Sequence, residues 1–361
     1  MAKSVYIHIP FCKQKCKYCS FISFPCTEKI LGYVFSLFKE IDTNYAGEDI
    51  ETLYFGGGTP SLLEIQHLKK IINKFKLASN CEITLELNPD DASLEYLKSL
   101  KDIGINRLSI GSQTFNDGIL KLIGRRHDSK QIIKAVEFAK TAGFDNISLD
   151  LIYGLPTQTI ETLHKDLEIF TQLDIQHIST YGLKLEEDSY WGKNPPKNLP
   201  DDDIQADMYL EINNYLNPKG YKRYEISNFA IDGYESKHNL NYWNNNEYYG
   251  FGVSAHGYID GIRYSNYSTI EDYMNNPAQH SNGHIQTLEE MLEEEIFLGF
   301  RKEAGINLDV IKEKFDIDFE RKYRNALKKF IPDYIEKTSN GYKLTLNGVL
   351  LSNNILAEFL E

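Results

Sequence analysis

Three cysteines fall within eight residues, Cys12, Cys16 and Cys19, in the order C-x3-C-x2-C. Thiolates crowded on one short loop suit a metal centre better than a disulfide. A closed structural zinc site uses four protein ligands, whereas a reactive site keeps one position open. An iron–sulfur cube normally takes four cysteines. Held by three, it leaves one iron free to bind a small molecule. Two blander outcomes stand beside this one: a zinc site completed by a distant His or Cys, and a chance cluster of inert thiols. Cys81 opens an apolar, strand-like run and reads as an ordinary core thiol. Cys26, in Pro25-Cys26-Thr27, could approach the loop.

A second candidate is Gly56-Gly57-Gly58-Thr59-Pro60, directly after a strand pattern. Glycines let a backbone approach a ligand closely and expose its N–H and C=O groups. No Gly-Lys-Ser/Thr follows, so this is not a phosphate loop. Glu86 and Asp150 each lie in otherwise apolar strand patterns, where an unpaired charge is costly. That favours site roles over structural ones.

These residues need a scaffold. Short apolar runs at Val5–Ile9, Thr52–Phe55, Glu82–Leu87, Arg107–Ile110, Ile147–Ile152 and His177–Tyr181 alternate with helical patterns. The helices are expected at Glu28–Thr43, Leu62–Lys76, Ser93–Ile103, Ser129–Ala142 and Ile160–Leu173. Ser61, Asp128 and Thr159 are candidate N-caps, and Gly104 and Gly143 stand where helices should stop. Alternating βα units predict an α/β fold with a parallel sheet. Six units are too few for the eight-stranded barrel and suit an open, partial (β/α)6 TIM-like barrel. Active residues of such folds gather at the carboxyl ends of strands. Here those ends carry Cys12, the glycine run, Glu86-Leu87-Asn88-Pro89, Gly111-Ser112-Gln113, Asp150 and Tyr181-Gly182.

The barrel is expected over residues 1–190. An irregular extension rich in Asn, Tyr and Gly covers 191–285. A small winged-helix-like α+β domain covers 286–361, with a strand pair turning at Asn340-Gly341. The acidic helix Leu288–Phe300 argues against DNA contact there.

A net charge of −13 makes a broad nucleic-acid footprint unfavourable. No apolar stretch nears the roughly 18 residues that cross a bilayer. Five cysteines, an odd number, with no secretory signal before them, point to a reducing, cytoplasmic setting. The 24 tyrosines cluster between 181 and 273, where they either line a pocket for a large flat ligand or simply pack.

The cysteine loop after Tyr6-Ile-His-Ile-Pro-Phe, with Gly-Gly-Gly-Thr-Pro, resembles the radical S-adenosylmethionine (SAM) superfamily. Within it the chain is similar to the oxygen-independent coproporphyrinogen III oxidase-like group, and more so to that group's haem chaperones. The resemblance runs nearly the whole length and is loose only in the C-terminal domain.

It implies a [4Fe–4S] cluster on Cys12, Cys16 and Cys19, whose open iron chelates S-adenosylmethionine. One electron from the cluster then splits the sulfonium and releases a 5′-deoxyadenosyl radical. Gly57, Gly58 and Thr59 would meet the amino end, with Tyr6 beside the cluster and Tyr18 against the adenine. Glu86 would accept from ribose hydroxyls or the ammonium, Asp150 would face the ribose, and Gln113 and Arg125 would hold the carboxylate.

His238-Asn-Leu-Asn-Tyr242-Trp243 resembles the HNxxYW signature of the haem chaperones. It implies axial ligation by His238 and stacking by Tyr242 and Trp243 on haem, against a structural loop as the alternative. His256 is a second ligand candidate. The implied partners are haem, acceptor haemoproteins at or near the inner face of the membrane, and an electron donor for the cluster. Dimerisation is left open.

Two departures weigh against the oxidase reaction. Ser20-Phe21 follow Cys19 where the oxidase carries a further cysteine, and only five residues precede Tyr6. The chaperone reading is therefore preferred, with oxidative decarboxylation of coproporphyrinogen III as the alternative.

Overall fold

The computed structural model describes residues 1–360. Six parallel strands form the centre of one sheet: β1 (Ser4–Ile9), β2 (Ile50–Gly57), β3 (Leu77–Leu87), β4 (Arg107–Gln113), β5 (Ile147–Tyr153) and β6 (His177–Gly182). They lie in sequence order, so all six carboxyl ends open on one rim. Their side chains are buried almost throughout, as expected of parallel strands covered on both faces. The crossovers are α1 (Ile30–Asn44), α2 (Ile65–Ile72), α3 (Leu94–Asp102), α4 (Asp117–Ile123) with α5 (Ser129–Thr141), and α6 (Ile160–Gln172).

Asp128 and Thr159 each close a reciprocal capping box with the residue three positions on. Ser61 is not a cap. It lies in the short 3-10 turn Pro60–Leu62 and donates its hydroxyl to Asp91 at 3.1 Å, while α2 begins only at Ile65 and is shorter than its apolar pattern suggests. Gly104 and Gly143 follow α3 and α5 with φ of 98° and 89°, the left-handed exit glycine tolerates.

The sheet is wider than six strands. The segment expected to be irregular supplies β7 (Lys222–Arg223) and β8 (Asn228–Ala230), antiparallel beside β6, and β9 (Tyr249–Phe251), parallel beside β1. These strands are two or three residues long, too short to show a period. The sheet order places β7 and β9 at opposite edges, so the barrel stays open. A second antiparallel sheet, β10 (His256–Ile259), β11 (Ile262–Ser265) and β12 (Asn282–Ile285), extends the rim beyond β9.

The C-terminal segment has its own apolar cluster, including Leu292, Ile296, Phe300, Phe319, Ile335, Tyr342 and Phe359. Helices there surround three short antiparallel strands, β13 (Ile306–Asn307), β14 (Ile335–Lys337) and β15 (Gly341–Leu344). Glu303 joins this segment to the barrel side by pairing with both Arg223 and Lys343.

Candidate functional site

The cysteine loop leaves β1 and is pinned at several points. Cys12 N–H donates to Phe24 O at 3.2 Å, Phe24 N–H to Pro10 O at 2.7 Å, and Lys17 N–H to Ile123 O at 3.0 Å. All three loop cysteines are free and partly buried. Among the described residues no three His, Cys, Asp or Glu side chains are placed to hold one metal ion. That disfavours a preformed zinc site, which needs its ligands to converge on a point. A cube asks less convergence, because each thiolate binds a different iron. Cys81 is buried in β3, as expected of a core thiol. Cys26 precedes the 3-10 turn Thr27–Lys29 and does not line the cavity described next.

Below the loop lies a cavity of about 470 Å³ at the carboxyl ends of the strands. It gathers Tyr18, Cys19, Gly57, Gly58, Thr59, Glu86, Gln113, Arg125 and Asp150. Gly57 has φ 111°, and a Cβ there would lie 2.6 Å from the His8 ring. A Cβ on Gly58 would lie 2.7 Å from Phe11 O. The glycine run therefore exists because it passes directly against β1 and the start of the cysteine loop.

A hydrogen-bonded chain ties the loop to the rim. Arg125 donates Nη2 to Asn88 Oδ1 at 2.7 Å and to Gly111 O at 2.5 Å. Asn88 donates Nδ2 to Thr59 Oγ1 at 3.1 Å, leaving the threonine proton for Cys12 Sγ at 3.3 Å. Arg125 Nη1 faces Cys16 Sγ at 3.6 Å. Asn88 has no role in the sequence reading, although it stands at a strand end in Asn-Pro. Arg125 follows Gly124, whose left-handed turn at φ 83° ends α4 and swings the arginine inward.

Glu86 accepts from Tyr54 OH at 2.9 Å and Gly57 N–H at 3.1 Å. Burial, reinforced by Asp150, pushes its carboxyl up to about 7. Asp150 accepts from Ser109 at 3.3 Å, and burial pushes it up to about 6. Gln113 has φ 71° at a point where the β4–β5 register shifts, a kink that turns its side chain into the cavity.

These groups fit the pair of cofactors named above. Arg125 keeps a buried Nε with no partner, and a guanidinium facing thiolates counters a cluster's negative charge.

Two expectations sit elsewhere. Tyr6 is not in this cavity. It lines a neighbouring one, of about 320 Å³, with His8, Ser20, Phe21, Ile22, Tyr242, Tyr248, Ser254, Ala255 and His256. Its hydroxyl pairs with His8 Nδ1 at 3.1 Å.

Both ring nitrogens of His238 are engaged by the protein. It is buried in the helix Lys237–Trp243, with Nδ1 against Thr52 Oγ1 at 2.8 Å and Nε2 against Tyr242 OH at 2.9 Å. Its ring stacks on Tyr54 with centroids 5.0 Å apart. In this arrangement it holds the helix to the barrel, and axial ligation through either nitrogen would require that nitrogen to give up its pairing. Trp243 is drawn away from Tyr242 toward Arg301, whose guanidinium lies 6.0 Å from its ring.

An open six-stranded parallel core bearing a three-cysteine loop above a strand-end cavity defines the radical SAM class. The family model described as "Radical SAM superfamily" matches residues 6–170, and that described as "HemN C-terminal domain" matches 286–351.

Curated relatives share the full length. A protein of Lactococcus lactis described as "Heme chaperone HemW" is 39% identical over 368 residues, covering 99% of this chain and 97% of its own. Its namesake in Bacillus subtilis is 40% identical, covering 99% of each chain, and that of Escherichia coli 32%, covering 99% and 98%. The chain belongs to this HemW family of the radical SAM superfamily. The solved structure of Escherichia coli coproporphyrinogen III oxidase (HemN), described as a radical SAM enzyme, superposes with a TM-score of 0.86 at 25% identity, covering 99% of this chain and 89% of the oxidase.

Proposed function

We propose that the chain binds a [4Fe–4S] cluster on Cys12, Cys16 and Cys19, S-adenosylmethionine in the strand-end cavity, and haem, which it passes to acceptor haemoproteins. The observation that carries this is the full-length similarity to proteins described as heme chaperones, on a chain that keeps the three-cysteine loop. When bound, a reduced cluster supplies an electron able to split the sulfonium of S-adenosylmethionine.

This chain's residues do the holding. Gly57, Gly58 and Thr59 present a close backbone edge to the amino end. Arg125 offers its free Nε and Gln113 its amide to the carboxylate, while Glu86 and Asp150 accept from ribose hydroxyls. An electron donor for the cluster belongs to this reading, as do acceptors near the membrane. Among the described residues no helix is long and apolar enough to cross a membrane.

The test is anaerobic haem titration of the cluster-loaded protein, followed by transfer to an apo-haemoprotein. Saturable binding with transfer supports the proposal, and no binding ends it.

The fold shared with HemN keeps a second reading, oxidative decarboxylation of coproporphyrinogen III. Ser20-Phe21 after Cys19 stands against it. Formation of protoporphyrinogen from coproporphyrinogen III, S-adenosylmethionine and a reductant would decide for the oxidase.

A further inference from the structure

We propose that Arg107 is a positioning residue for the cofactor cavity. From the barrel interior its guanidinium keeps Glu86 and Asp150 together as carboxylates, the form that best accepts ribose hydroxyls. This rests on the S-adenosylmethionine reading above and extends it to a side chain outside the cavity lining.

The strand places the residue. Arg107 opens β4, which lies between β3 and β5. Side chains alternate along a strand, so Arg107 shares a face with Ser109 and Gly111. Both of those line the cavity, and Ser109 donates to Asp150 at 3.3 Å. In register Arg107 lies opposite Thr84, and Ser109 lies opposite Glu86 on one side and Ser148 on the other. Arg107 thus stands one inward-facing position below Glu86 and two below Asp150.

Arg107 is 2% exposed. A guanidinium at that depth is costly unless it is paired. Here its Nε has no partner, and among the described residues it makes no salt bridge. Its charge is left to act through space.

Glu86 and Asp150 need such a charge. Two carboxyl groups in one desolvated interior push each other toward the neutral form, and a neutral acid is the weaker acceptor. Burial raises both, Asp150 adds to the rise in Glu86, and Arg107 opposes the rise in both. Arg125 also acts on Asp150, but it is committed to Asn88, Gly111 and Cys16. The interior histidines add no charge, because burial and Arg107 itself hold His177 and His238 neutral. The other titratable groups facing the two acids are Tyr6, Tyr18, Tyr54, Tyr181 and Tyr242, and burial keeps each protonated. Tyr224, which faces Arg107, is protonated for the same reason.

The experiment is anaerobic equilibrium dialysis of the full chain, cluster-loaded, against S-adenosylmethionine, from about pH 5.5 to about pH 8.5, a range that spans the carboxyl titration. Wild type is compared with Arg107→Met, Arg107→Gln and Arg107→Lys, each checked for folding by circular dichroism and for loading by iron content. The amine of the ligand titrates equally in all four and cancels in the comparison. Wild-type affinity should rise with pH through the Glu86 titration near 7. In the two neutral variants that midpoint should move up by about one unit, which weakens binding about fivefold at neutral pH and less toward the alkaline end. Arg107→Lys should hold the midpoint near the wild-type value. A structural role alone would lower affinity at every pH and leave the midpoint in place. An unmoved midpoint in a folded neutral variant overturns the assignment and leaves the cofactor reading standing. Neutral variants that will not fold assign Arg107 to structure and overturn it too. If wild type binds no S-adenosylmethionine, the cofactor reading falls and this assignment with it.

Discussion

Arg125 donates one guanidinium nitrogen to the Asn88 carbonyl at 2.7 Å, and Asn88 passes the connection on to Thr59 and Cys12. The same guanidinium faces Cys16. One side chain from the end of α4 thereby restrains two of the three loop cysteines. Arg125→Lys keeps the charge but loses the planar fork, so it cannot serve Asn88, Gly111 and Cys16 together. A lost charge-assisted hydrogen bond is worth about 1.5–3 kcal/mol. We expect the variant to accept iron and sulfide on reconstitution, and to bind S-adenosylmethionine about ten- to hundredfold more weakly by equilibrium dialysis. Unchanged affinity would remove Arg125 from the cofactor site.

Gly57→Ala tests why the glycine run exists. The new Cβ would meet the His8 ring at 2.6 Å, and that ring is held by Ile22 O at 2.9 Å and by Tyr6. The backbone φ of 111° adds strain for any Cβ. Gly47→Ala is the control, because Gly47 has φ 98° and nothing within 4 Å of its Cβ. We expect urea midpoints to fall in both, with Gly57→Ala costing about 1–3 kcal/mol more from overpacking. Equal losses would mean that backbone strain alone explains the glycine.

Glu86 gives a pH prediction. Its folded carboxyl titrates near 7, pushed up chiefly by burial, against about 4.3 in an unfolded chain. The folded protein thus binds more protons than the unfolded one between these values, and stability falls as pH rises through the window. Glu86→Gln can place its carbonyl on Gly57 N–H and its amide on Tyr54. Without cofactors, the variant should gain on wild type between pH 5 and pH 8 by on the order of 1–3 kcal/mol in urea unfolding. S-adenosylmethionine binding should show the opposite trend. Wild type should tighten as the carboxylate forms toward pH 8, and the variant should stay flat.

Much of this site was legible because chemistry at strand ends reveals itself against apolar surroundings. Glu86 and Asp150 stand out in buried strands, and the cysteine spacing is explicit. Asn88 was overlooked because an Asn-Pro pair is ordinary turn punctuation, and its partner Arg125 is 37 residues away. The strands β7, β8 and β9 were missed because two or three residues carry no periodicity, and pairing with β6 and β1 alone makes them strands. The surroundings of His238 were hidden for a related reason. Its motif says that histidine, tyrosine and tryptophan are neighbours in sequence, but not that the helix turns His238 onto Thr52 and sends Trp243 to Arg301.

His238 itself yields the last prediction. Burial, with the Arg107 charge adding to it, drives its pKa down to about 3, so it is neutral in the folded chain. Alanine there deletes a ring stacked on Tyr54 and leaves Thr52 and Tyr242 without their shared partner. The loss should be about 2–4 kcal/mol at pH 7.5. An unfolded histidine takes up a proton near 6.5, whereas the folded one resists until about 3. Wild type therefore loses this residue's contribution as pH falls from 6.5 toward 4, by about 1.4 kcal/mol per unit. The stability gap between wild type and His238→Ala should be widest above pH 7 and should narrow steadily toward pH 4. Taking the difference between the two proteins cancels the titration of Glu86 and the other buried groups. A gap that stays constant with pH would mean that His238 takes up its proton as readily in the folded chain as in the unfolded one, against the neutral, doubly bonded ring described above.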